Sequence, residues 1–154
     1  MNKLKLLLTS SLLSLMATPS AFADEYNPCS SSGSGMQRLE CLEKEYRIQD
    51  KGLNKIYRKI HTLLDKHLDA KIDGSFEFSA ASKKRLIKAQ RAWIKFRDSN
   101  CEYIMGDHPG IGSGWSIGLA YCLSEMTKER NDELTVDYNL SRESSMQSYP
   151  EIWQ

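Results

Sequence analysis

AQRAWIKFRDSNC, residues 89–101, packs two aromatics, two arginines, an aspartate and a cysteine into a run free of Gly and Pro. On a helix its positions sort into stripes. Leu86, Gln90, Trp93, Arg97, Cys101 and Ile104 follow one another by three or four residues and share a face. Ile87, Arg91, Ile94 and Asp98 form a second stripe, and Ala89, Ala92, Phe96 and Tyr103 a third. Apolar residues lie nearly all round, the pattern of a helix lodged between two others. Trp93 and Phe96 are therefore expected in a core, together with Leu53. Gln90 and Arg97 interrupt the apolar stripe. Buried, each needs a partner, because an unpaired polar or charged group in a core is costly. Asp50, Asp98 or a carbonyl near the cysteines would serve Arg97; Asn54 or Tyr57 would serve Gln90.

The partners must come from the flanking segments. Ser34 followed by Gln37 is a capping box. From there Leu39, Leu42, Tyr46, Leu53, Ile56, Ile60 and Leu63 keep a three-four spacing broken by Gln49 and His67, which predicts a long amphipathic helix from Gly35 to Ala70. Gly52 costs that helix about 1 kcal/mol and is a place for a bend. Asp73-Gly74-Ser75 ends it. Ser79 is the expected cap of a second helix running to about Tyr103. Met105 to Ser113, MGDHPGIGS, is a loop by its Gly and Pro content. A third helix is expected from Ser113 or Ser116. Trp115, Leu119, Leu123 (or Cys122), Met126 and Leu134 lie on its apolar side, and Arg130 stands beside them. Beyond Tyr138 the periodicity ends, so residues 139–154 are expected to be a mobile tail, with Tyr149, Ile152 and Trp153 as its docking candidates.

The expected fold is thus all-α: an antiparallel three-helix bundle with a long first helix, stabilised by two disulfides. The first helix would reach roughly 50 Å against under 40 Å for the others, so it would overhang or bend.

The N-terminus reads differently. Lys3 and Lys5 precede an apolar run from Leu6 to Met16, and Ala21-Phe22-Ala23 is a small-x-small cleavage signal. Residues 1–23 are expected to be a signal peptide, cut before Asp24. Asp24, not Cys, stands immediately after the cut, so no lipid anchor is expected there, and the mature chain is expected in the periplasm or outside the cell. Cleavage leaves 19 basic against 20 acidic side chains. That balance gives no reason to expect nucleic acid as a partner. Cys29, Cys41, Cys101 and Cys122 all follow the cut, and an even number in an oxidising compartment points to two disulfides. Zinc is disfavoured because no C-x-x-C occurs. Matching levels along the bundle favours Cys29–Cys101 with Cys41–Cys122. Cys29–Cys41 with Cys101–Cys122 stays open, since sequence does not choose among the connectivities.

No enzyme chemistry is expected, nor any cofactor or metal. His61 and His67 stand six apart, not the four that put two ligands on one helix face, and His108 is the third and last histidine. H-E-x-x-H does not occur. Glu40, Glu43, Glu45 and Asp50 read as a solvated helix face.

Taken in order, Cys41, then Asp50-x-x-Leu53-Asn54-x-x-Tyr57, then AQRAWIKFRD with Cys101, then Cys122 with Thr127-x-x-Arg130, resemble the LprI-like family of lysozyme inhibitors. The resemblance covers the chain from about Cys29 to Leu134, within a domain of residues 24–138. It implies a small envelope protein that binds a lysozyme-like muramidase and blocks its cleft. An immunity or accessory protein for another envelope-acting effector, or a purely structural envelope protein, fits the same sequence. Asp50, Asn54, Tyr57, Gln90, Trp93, Arg97, Asp98 and Arg130 are read as scaffold. A muramidase uses paired carboxylates in a cleft, so a blocking element should protrude and offer donors or positive charge. The first candidate is the loop with Asp107, His108 and Ile111, flanked by Trp115. The second is the segment with Phe76 and Phe78, aromatic residues in a polar stretch. The basic run Lys83, Lys84, Arg85 and Lys88 is the third and reads most simply as a solvated face.

Overall fold

The computed structural model describes residues 29–69, 75–106 and 113–154, with side chains described at all of these except 75–79 and 113. The signal peptide, Asp107, His108 and Ile111, and the side chains of Phe76 and Phe78, lie outside the described residues. Three helices make up the fold: α1, Gly35–Asp69; α2, Ser75–Met105; and α3, Ser113–Ser148. A terminal 3-10 helix, Pro150–Trp153, follows. No strand occurs among the described residues.

The start of α1 is built by the capping box. Gln37 N–H donates to Ser34 Oγ at 3.3 Å, and Ser34 N–H donates to Gln37 Oε1 at 2.8 Å. Each bond satisfies a backbone donor that the first turn would otherwise leave unpaired. The three-four series then turns Leu42, Leu53, Ile56, Ile60 and Leu63 inward. Burying an aliphatic side chain of this kind contributes roughly 1.5–3 kcal/mol. At the end of α2, Gly106 takes φ of 64°, and its N–H donates to the carbonyls of Glu102 and Tyr103. Glycine closes the helix there because other residues meet a steric penalty in the left-handed region.

α1 and α3 run parallel and α2 returns between their ends. The register of α1 on α3 is nearly constant. Leu42 packs with Ala120, Gly52 faces Asn131, Lys59 lies over Tyr138, and His67 meets Ser145. A Cβ at position 52 would sit 2.8 Å from Asn131 Nδ2, so Gly52 serves close approach of α3.

The core has two apolar clusters. Leu53, Ile56, Ile60 and Leu134 form one, with Trp93 and Tyr138 packed against it; Cys29, Leu42 and Ala120 form the other at the cysteine end. Buried Arg97, Ser124 and Thr127 occupy the level between them. Arg97 Nη1 donates to Thr127 Oγ1 across this layer.

Four expectations are corrected. α2 begins at Ser75, one turn before Ser79. α3 runs to Ser148, so residues 139–154 are not a free tail and α1 has no overhang. The extension is held by tertiary contacts: His67 Nε2 lies 2.6 Å from Ser145 Oγ, and Trp153 Nε1 donates to the same oxygen at 3.2 Å. Phe96 is 58% exposed, because α1 packs far more on α3 than on α2 and leaves the outer face of α2 uncovered. The disulfides are Cys29–Cys41 and Cys101–Cys122, with Cα atoms 5.8 and 5.7 Å apart. The favoured pairing matched levels but not faces. Cys122 shares the stripe of Gly118 and Met126, which turns to α2: Gly118 faces Met105, and Met126 meets Asn100 and Cys101. Cys29 is brought back to Cys41 by a turn in which Ser32 N–H donates to the Cys29 carbonyl.

The two histidines of α1 make stability pH-dependent. Burial, and secondarily the charge of Lys83, hold His61 below the usual imidazole value of 6.5, with Asp65 opposing. Its Nε2 is buried without a partner. Burial alone lowers His67. A histidine with a depressed folded pKa binds fewer protons folded than unfolded. Its stabilising contribution is therefore complete above about pH 6.5 and declines as pH falls below that value, levelling off beneath the folded pKa. The denaturation midpoint should fall between about pH 7 and pH 5, where most carboxylates are still ionised. In the His61→Gln/His67→Gln variant that slope should flatten; a slope unchanged from the parent chain would reject these two rings as its source.

Candidate functional site

The residues singled out in the sequence gather around one interior feature, Trp93 between two guanidinium groups. Arg97 lies 5.2 Å from the ring centroid and Arg130 5.9 Å. Arg97 also stands 5.5 Å from the ring of Tyr46 on α1. Its Nε and Nη2 donate to Asp98 Oδ1 at 2.8 and 2.7 Å, and Nη1 donates to Thr127 Oγ1 at 3.2 Å. Thr127 in turn donates to the Leu123 carbonyl. Arg130 Nε donates to Gln90 Oε1 at 3.3 Å and pairs through Nη1 with Glu133 at 2.7 Å. Of the partners considered for Arg97, Asp98 is the one found. Gln90 turns to Arg130 rather than to Asn54 or Tyr57. Asn54 bonds the carbonyl and carboxylate of Asp50 within α1.

Asp50, Asn54, Tyr57, Gln90 and Arg97 nevertheless line one cleft of about 210 Å³ between α1 and α2. It is small, and its Asp50, Asn54, Gln90 and Arg97 already have partners within the bundle. Around Trp93, Gln90 and Arg97 of α2 bond Arg130 and Thr127 of α3.

The surface tells more about binding. Near the cysteine end α1 and α3 border a groove of about 470 Å³, with Leu39, Tyr46, Leu119 and Leu123 in its walls and Trp115 at its mouth. Glu43 and Arg47 form a loose pair on the rim, 3.7 Å apart. Trp115 is 37% exposed. Tyr103, at 83%, and Ile104, at 56%, stand at the end of α2, with Phe96 two turns before Tyr103 on the same stripe. Other large apolar residues are exposed along the rest of the bundle, among them Ile94, Val136, Leu140 and Met146. The two disulfides stiffen the cysteine end.

Comparison with known proteins decides the family. Residues 29–134 match the family model described as lysozyme inhibitor LprI. The chain belongs to the LprI family. An uncharacterized protein of Rhizobium meliloti (strain 1021) is 36% identical to the chain over 126 residues, 79% of this chain and 87% of the relative. The uncharacterized protein YecT of Escherichia coli (strain K12) is 33% identical over 67 residues, 44% of this chain and 40% of YecT. No solved structure matches the chain significantly. The matched region ends at Leu134, so in this LprI-family chain the last turns of α3 and the docked Trp153 lie beyond it.

Among the candidates named from sequence, Trp115 is placed on the groove, while Lys83 pairs with Asp65 and belongs to the solvated face between α1 and α2. Tyr103 and Tyr46 were read as helix-face residues; their place at the surface depends on how far α2 stands from α1, which no spacing encodes.

Proposed function

We propose that this LprI-family chain inhibits a lysozyme-type muramidase by seating its cysteine end against the enzyme's substrate cleft. Membership of a family described as lysozyme inhibitor LprI supports the activity, and the exposed Tyr103, Ile104 and Trp115 support the place. A tyrosine and a tryptophan offer large, rigid contact area with a polar tip, the composition of interface hot spots. Asp107, His108 and Ile111 join these aromatics in sequence and complete the proposed contact. The reading includes export: residues 1–23 direct the chain to the compartment in which muramidases meet peptidoglycan.

Purified chain should slow muramidase hydrolysis of cell-wall substrate in a saturable way. Tyr103→Ala and Trp115→Ala should each weaken inhibition about tenfold or more, as loss of a hot-spot aromatic does, while Tyr103→Ala leaves the melting temperature in place. Absence of inhibition at large molar excess across several lysozyme classes rejects the activity. Full inhibition by both variants rejects the cysteine end as the contact.

A further inference from the structure

A second groove, of about 440 Å³, lies at the opposite end of the α1–α3 seam and is lined by Lys55, Arg58, Lys59, Lys66, Tyr138 and Trp153. The four cations follow α1 at spacings of three, one and seven residues, so they form one stripe. It extends about 16 Å along the helix. No acidic residue lines the groove. None of the four cations pairs with a carboxylate among the described residues. Of the carboxylates of α1, Glu43 pairs with Arg47, Glu45 with Gln49, Asp50 with Asn54 and Asp65 with Lys83, while Glu40 and Asp69 make no ion pair with the four cations.

The aromatic residues hold the positive charge at the wall. Lys59 Nζ lies 5.5 Å from the Tyr138 centroid and Lys66 Nζ 4.3 Å from that of Trp153. Trp153 is itself fixed by its bond to Ser145. Cation–π contact costs an ammonium little of its attraction for an anion, since the ring carries no net charge.

We propose that this groove binds an anionic saccharide, an oligosaccharide carrying carboxylate or phosphate groups along its length. The groove is open and elongated, which suits a linear ligand. Lys59 follows Lys55 by about 6 Å of helix rise and Lys66 follows Lys59 by about 10 Å, comparable to one and two sugar rings. Tyr138 and Trp153 give the sugar an apolar wall beside the cations. An extended acidic peptide fits less well. It needs backbone partners, and the Thr62 hydroxyl at the groove already donates to the Arg58 carbonyl. This proposal stands apart from the inhibitory reading and survives its failure.

The test titrates the full chain, by calorimetry at low salt, with oligogalacturonate as the carboxylate probe and a short glycerol teichoic acid as the phosphate probe. Saturable binding of either, weakened by salt, is expected, and the stronger of the two assigns the anion. Lys55→Gln/Lys59→Gln/Lys66→Gln should bind about a hundredfold more weakly, at roughly a fivefold loss per lysine near an anionic surface. The three side chains are exposed, so the variant should keep the parent melting temperature. Trp153→Leu should lower affinity without altering the salt dependence. The proposal is overturned if neither probe binds saturably, if the triple lysine variant binds like the parent, or if a neutral chitin oligosaccharide binds as well. Equal affinity for polyglutamate, or for inorganic phosphate alone, overturns the saccharide occupant.

Discussion

Replacing Arg97 with alanine lowers the unfolding free energy by about 2–3 kcal/mol, from lost packing, a lost cation–π contact and a lost hydrogen bond. The size follows from what the substitution leaves behind. Arg97 is 6% exposed, but the Asp98 side chain is 48% exposed and rehydrates when its partner goes. Thr127 keeps its bond to the Leu123 carbonyl. No buried charge is stranded, so the 3–5 kcal/mol typical of a broken buried pair does not apply. The void beside Trp93 and Tyr46 is the main loss. Arg97→Met refills much of that volume and should cost about 1 kcal/mol. Urea denaturation of the two variants checks both values. Equal midpoints for the parent and Arg97→Ala would remove Arg97 from the scaffold. Equal losses in alanine and methionine variants would shift the weight from packing to the guanidinium's hydrogen bonds.

The same residue shows what the sequence discloses. That Arg97 and Gln90 were buried and partnered followed from their place on an apolar stripe, and Asp98 was among the partners available. Which hydroxyl or arginine completed each was set by α3, whose angle to α2 no local pattern encodes. The start of α1 was legible to the residue because its capping box is local. The end of α3 was not. Residues 139–148, NLSRESSMQS, have no apolar period, and they stay helical because Ser145 meets His67 and Trp153. The contact with His67 spans 78 residues of chain, so tertiary structure overrides propensity there. Phe96 failed for the converse reason: its stripe was apolar, yet the third helix it required lies elsewhere. Of the candidate site, Trp115 stands on the groove, and its position after a Gly-rich segment is what singles it out in the sequence. The basic groove was not, because its stripe reads as a solvated face until Tyr138 and Trp153 are placed against it.

Opening the Cys101–Cys122 bridge costs about 3 kcal/mol by the chain-entropy estimate for its loop. That bond is the covalent tie between helices, since Cys29–Cys41 joins the arm before α1 to α1 itself. The two bridges close loops of 21 and 12 residues, so loop length alone makes their contributions similar. Their consequences differ. Cys101→Ala/Cys122→Ala frees α2 from α3 beside Tyr103 and Trp115, and should lose inhibition of a muramidase along with stability. Cys29→Ala/Cys41→Ala should lose stability with the end of α2 still clamped. The connectivity behind this contrast has a direct check in tryptic cleavage without reduction. Cys101 and Cys122 fall in the same peptide, Asp98 to Lys128, whereas Cys41 lies in the peptide Leu39 to Lys44 and Cys29 in the one that ends at Arg38. The observed pairing leaves the Asp98–Lys128 peptide alone with an internal bridge and links the other two to each other. Either alternative connectivity ties all three peptides into one species, and a mass corresponding to that species would overturn both the pairing and the stability contrast built on it.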